Sequence, residues 1–202
     1  EIDSQDFGAM FETSLQAENN NLWASQNYYP KGMILQFSQI DQEKSRQMFR
    51  ALFDEETDLA ERIHGFLRGC DEFVAHHNER STAAERWNHH YHKDVRAISF
   101  YLSFRYPETY FTYKFREAKR MANWLDVEMI SMSWDPAEKY LWYLPMARDL
   151  RERLLQSPEL KTTYHRWLNT NDLIDPAHTF LTADFIIQSA NSKLTPVTDP
   201  VS

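Results

Sequence analysis

Residues 59–77 read LAERIHGFLRGCDEFVAHH. Leu59, Ile63, Phe66, Leu67, Cys70, Phe73 and Val74 recur there at intervals of three and four, which lines them along one face of an α-helix. Glu61, Asp71 and Glu72 stand between them as an acidic, solvated outer face. The strict alternation of a half-buried strand is not sustained in any window. Only four glycines occur in 202 residues, too few for the many turns of a sandwich or barrel. The expectation is therefore mainly α: a single domain of seven to nine helices over residues 1–192, with a linker at 193–202. A small two-stranded element at 33–37 or 126–132 is the one place for β-structure.

Working outward, residues 3–18 carry a helical stripe through Phe7, Met10, Phe11 and Leu15, with Asp3 or Ser4 able to cap it. Residues 41–53 turn Met48, Phe49, Leu52 and Phe53 inward. Thr82, followed three residues later by Glu85, is a capping-box pattern, and a short helix or turn is expected through His92. A helix over 93–105 should stop at Pro107, and another should run over 114–125. Asp135-Pro136 and Ser157-Pro158 each place a capping side chain before a first-turn proline. Pro145 is expected to kink or split the first of those two helices. A last helix covers 181–190.

Charge is unevenly spread. The chain carries a net −8, yet residues 80–120 hold nine Lys or Arg against four acids. Arg116, Lys119 and Arg120 fall at i, i+3 and i+4 and share one helical face, opposite Phe115, Ala118, Ala122 and Leu125. Lys93, Arg96, Arg105 and Lys114 border the same stretch. Such a face neutralises phosphates without reading sequence, and the interleaved Tyr, Phe and Trp residues offer stacking surfaces. Its bland counterpart is a solvated face that pairs with the acidic helix surfaces.

Several chemistries lack their signatures. There is no GxxxxGK[ST] loop, no GxSxG elbow and no CxxC pair, so nucleotide hydrolysis, serine-hydrolase chemistry and a zinc ribbon are unsupported. The single cysteine, Cys70, excludes an internal disulfide and sits among apolar neighbours, as a buried small hydrophobe would. That usage fits a reducing, cytoplasmic setting, and no apolar run approaches a membrane span. Glu85, His89 and His92, with His90 beside them, would share a helix face at i, i+4 and i+7, but no fourth ligand stands at a matching spacing, so no metal is expected. Glu108 after Pro107, followed by Glu117 and Lys119, is similar to the acid pair and lysine of Mg²⁺-dependent nucleases. Glu117, however, lies in a helical pattern where that chemistry normally uses a strand.

AISFYLSFRYPETYFTYKF at 97–115, preceded by NHHYHKD at 88–94 and followed by HTFLTADFII at 178–187, resembles the region ahead of the AAA+ motor in McrB-type restriction proteins. Weaker similarity runs from 33 through 74. The resemblance implies the N-terminal region of a larger protein, consistent with a closing TPVTDPVS that reads as linker. Its motor would hydrolyse GTP or ATP as a ring and recruit a separate nuclease subunit. Such N-terminal regions act as target readers, some by flipping a modified base. The expectation is a non-enzymatic, cofactor-free recognition domain that binds DNA, modified DNA included. Its phosphate contacts would be Lys93, Arg96, Arg105, Lys114, Arg116, Lys119 and Arg120. The nuclease subunit and ring neighbours would be engaged through the AAA+ module, with no membrane involved. Two rivals stand beside it: a protein-interaction domain using acidic helices and aromatic loops, and a Mg²⁺-dependent nuclease.

Overall fold

A computed structural model describes residues 2–15, 28–128, 130–131, 133–170 and 174–191. The described residues form nine helices and no extended strand, so the mainly α expectation holds. Residues 33–37 are helical rather than a strand. The 193–202 linker, and residues 129 and 132 of the second strand candidate, lie outside the described residues. The chain divides into two compact units, Glu1–Ile98 and Ser99–Ser202, and the boundary falls within one helix.

The first unit is built on α1 (Phe7–Ser14), α2 (Pro30–Ile40), α3 (Gln42–Leu52) and α4 (Leu59–Arg80). Asp6, rather than Asp3 or Ser4, caps α1 by accepting the Ala9 amide at 2.8 Å, because only Asp6 stands at the extended residue before the first turn. Gln42 then ties α1 to α3: its Oε1 accepts from the Phe7 amide at 3.0 Å and its Nε2 donates to the Gln5 carbonyl at 2.9 Å. Asp41 closes α2 and caps α3, so the two helices turn on one extended residue. On α4 the stripe is buried at Leu59, Ile63, Phe66, Cys70 and Phe73, while Leu67 and Val74 at its edge are half-buried. Phe49 on α3 meets Phe66 edge-on at 5.0 Å, and also packs against Phe7 and Phe11. Gly69 matters here, since a Cβ at that position would come within 2.7 Å of Met48 Sδ across the α3–α4 contact.

α5 (Arg96–Arg105) carries the boundary. The second unit then contains α6 (Phe115–Trp124), α7 (Pro136–Leu154), α8 (Pro158–Thr170) and α9 (Thr179–Asn191). Asp135 and Glu138 form a full capping box at the start of α7. The helix is not split at Pro145. Pro145 lies on its exposed side, where water can take the hydrogen bond that proline cannot supply. Buried backbone at 111–113 is satisfied by side chains: the Tyr140 hydroxyl donates to the Phe111 carbonyl and the Tyr143 hydroxyl to the Thr112 carbonyl, both at 2.9 Å. The Tyr113 amide donates to Ser99 Oγ at 2.9 Å. These bonds satisfy backbone groups of a non-helical segment that sits in the core.

Candidate functional site

The cationic residues singled out by sequence fall in different settings. Arg116, Lys119 and Arg120 all lie on α6, whose opposite face buries Ala118, Met121 and Ala122. Arg116 is exposed and Lys119 half-buried, and among the described residues neither meets a carboxylate within ion-pair distance. Arg120 is also exposed, but its guanidinium donates to the Ala190 carbonyl at 2.6 Å, close to the end of α9. That bond neutralises carbonyl charge at a helix C-terminus, so Arg120 is partly a structural residue. Arg105 is exposed and lies over the Tyr106 ring at 4.9 Å, and Lys114 stands half-buried at the α6 N-cap position. Lys93 and Arg96 belong to the other unit. Lys93 pairs with Asp71 at 3.1 Å, and Arg96 stacks over Tyr28 at 4.5 Å. Five of the seven residues therefore sit on the second unit, with Arg116 and Lys119 the most available among them.

Of the nuclease-like residues, Glu108 is exposed, and its backbone carbonyl accepts from Arg151 at 3.0 Å. Glu117 sits in the first turn of α6, not on a strand. Among the described residues these acids join no group of three or more acidic, His or Cys side chains.

A second constellation emerges in the first unit. Of the helix or turn that Thr82 and Glu85 allow, the structure takes the turn: residues 81–95 form turns and bends. Both Thr82 groups do reach Glu85: the amide and the hydroxyl donate to its carboxylate at 3.1 and 2.8 Å. Growth beyond that turn is blocked because the Asn78 side chain captures Trp87, accepting from its amide at 2.8 Å and donating to its carbonyl at 2.9 Å. The Trp87 ring then stacks on His77 at 3.7 Å. α5 accordingly starts at Arg96 instead of Lys93. Tyr91 and Val95 adopt left-handed backbone conformations, φ 63° and 61°. For a β-branched valine this costs about 1–3 kcal/mol, which the surrounding packing must offset.

The consequence is chemical. Glu85 and His89 stay on the surface, and the helical face that would have joined them to His92 does not form. His90 and His92 instead point inward beside Cys70 of α4. All three side chains are fully buried, and one donor atom from each lies within 4.8 Å of the others. His92 Nδ1 is 2.5 Å from the His90 carbonyl, which fixes the proton on Nδ1 and leaves Nε2 with a lone pair. Its other face meets Phe66 at 5.6 Å. His90 Nδ1 accepts from the His92 amide at 3.2 Å. His90 Nε2 lies 3.3 Å from Asp71 Oδ1 but off the hydrogen-bonding line, so it is buried without a hydrogen bond. Burial pushes His92 down to about 3, helped by the neighbouring His90, and lowers His90 against the pull of Asp71. Burial likewise holds the Cys70 thiol well above its ordinary value. The result is a buried cluster of one thiol and two neutral imidazoles, residue types suited to a borderline-soft cation. Helical spacing misses it because Cys70 is twenty residues from His90. The usable signal was His90-Tyr91-His92, alternate residues of one type before a helix start.

No helix among the described residues is long and apolar enough to cross a membrane. No protein-family model matches the chain, and neither a curated protein nor a solved structure matches it.

Proposed function

We propose that this chain is a non-catalytic recognition domain of an McrB-type restriction protein that contacts DNA phosphates through the exposed side of α6. The observation that carries the reading is the pairing state of Arg116 and Lys119. An acidic protein holds two adjacent cations on one helix face, and no described carboxylate takes them. Arg105 and Lys114 extend the positive charge on the same unit. Contacts of this kind position a protein on a duplex and supply affinity that ignores sequence. The motor and the nuclease partner come with the McrB-type resemblance, and the cytoplasmic setting with the single cysteine.

The test is a double charge reversal, Arg116→Glu with Lys119→Glu, read by gel shift on a short duplex at low salt. Affinity is expected to fall at least about ten-fold per lost phosphate contact at low ionic strength, with helical circular dichroism unchanged. Arg120 is left intact because its bond to Ala190 would confound folding with binding. Retention equal to wild type would remove the reading.

A second reading has its own support. Phe104 and Phe180 are exposed with their rings 6.0 Å apart, and Trp167 and Ile174 are 52% and 84% exposed on the same unit. Large apolar side chains left in water suit a protein partner. Absence of DNA retention at any salt, combined with concentration-dependent self-association, favours that reading.

A further inference from the structure

We infer that Cys70, His90 and His92 form a Zn²⁺ site within the first unit, the ion pinning the 81–95 segment to α4. Nothing in the DNA-binding proposal requires it, so the two stand or fall separately. The donors are of the types zinc takes, one sulfur and two imidazole nitrogens, and they gather within 4.8 Å with no exposed surface. In a tetrahedral zinc centre, Zn–S is about 2.3 Å and Zn–N about 2.0–2.1 Å, which sets ligand atoms roughly 3.3–3.8 Å apart. Closing the present group onto an ion requires side-chain rotation that frees a His90 nitrogen, Nδ1 from the His92 amide or Nε2 from its proton facing Asp71.

Two independent features separate this group from ordinary core filling. His90 Nε2 is buried and faces only the Asp71 carboxylate, 3.3 Å away and outside good hydrogen-bond geometry. The segment that delivers both imidazoles also keeps Tyr91 and Val95 in left-handed conformations, strain of the sort found at ligand clamps. Asp71 follows Cys70 in sequence and lies 3.3 Å from His90, placed to supply a fourth ligand or hold a water there. Binding replaces the Cys70 S–H bond with an S–Zn bond and releases the proton to solvent. Metal and fold are then linked: the ion binds the native arrangement and not the open chain.

The experiment uses the whole chain, reduced and stripped with a chelator, and titrated with Co²⁺ as a spectroscopic stand-in for Zn²⁺. About one Co²⁺ per chain is expected, with a thiolate-to-cobalt charge-transfer band and the intense visible bands of a four-coordinate ion; Zn²⁺ should bleach both. Cys70→Ala should abolish the charge-transfer band while helical circular dichroism is kept. His92→Gln should weaken binding at least about ten-fold. X-ray absorption at the zinc edge of wild-type protein should show one sulfur neighbour, and this readout decides the matter if Cys70→Ala fails to fold. Absence of any thiolate-to-metal band in the reduced wild type overturns the inference. A zinc shell without sulfur, or a Co²⁺ spectrum unchanged by Cys70→Ala, overturns it equally.

Discussion

Asp175→Ala is expected to destabilise the second unit by about 3–5 kcal/mol, the cost of breaking a buried hydrogen-bonded charge. The Asp175 carboxylate accepts from the amides of Thr179, Phe180 and Leu181 at 2.9, 3.0 and 3.1 Å, and from the Tyr164 hydroxyl at 2.7 Å. Those three amides open α9 and have no partner within the helix. One buried side chain thus satisfies the whole first turn, places negative charge at the positive end of the helix dipole, and ties α8 to α9. His178 makes this reach possible: its left-handed backbone, φ 55°, turns the chain so that Asp175 faces the helix it precedes. Alanine leaves three amides and a phenol unanswered in a site that is only 4% exposed. Amide exchange at Thr179, Phe180 and Leu181 should accelerate by a factor of order a hundred or more, as about 3 kcal/mol implies. Asp175→Asn, which keeps one acceptor oxygen, should recover roughly half of the loss. Unchanged protection in the alanine variant would show that α9 is held by packing alone.

Phe37→Ala should cost the first unit about 3–5 kcal/mol, the range for deleting a buried ring. Phe37 is fully buried and lies parallel to Phe73 at 4.7 Å, with Trp87 tilted against it at 5.9 Å. It therefore joins α2, α4 and the 81–95 segment at one point. Phe37→Leu retains most of the volume and should cost about 1–1.5 kcal/mol. Urea unfolding followed by far-ultraviolet circular dichroism separates the two variants. A loss below about 1 kcal/mol for alanine would contradict the packing described for this core.

What the sequence could convey follows from the range of the interactions involved. The stripe on α4 and the Asp135-Pro136 start are local patterns, and they fold as written. Ser157-Pro158 likewise precedes α8. The 81–95 segment is open to helix or turn in the sequence, because a capping-box pattern closes one turn whether or not a helix follows. What decides its course is Asn78, which grips Trp87 nine residues away. The same limit applies to charge. Arg116, Lys119 and Arg120 share a face by spacing alone, but the engagement of Arg120 with Ala190 spans seventy residues and leaves no periodic trace. Asp175 looks like an ordinary loop acid until His178 bends the chain. Cys70 looks apolar because its helix neighbours are apolar, and only the strained turn at 91–95 brings imidazoles to it.

The affinity of the wild-type chain for a short duplex, measured across about 50 to 200 mM salt, tests the DNA reading most directly. Two or three neutralised phosphates should give a plot of log K against log salt with a slope of about −2 to −3, reduced by roughly 2 in the Arg116→Glu, Lys119→Glu protein. A flat plot, or a slope the two reversals leave untouched, would contradict a phosphate-binding face on α6.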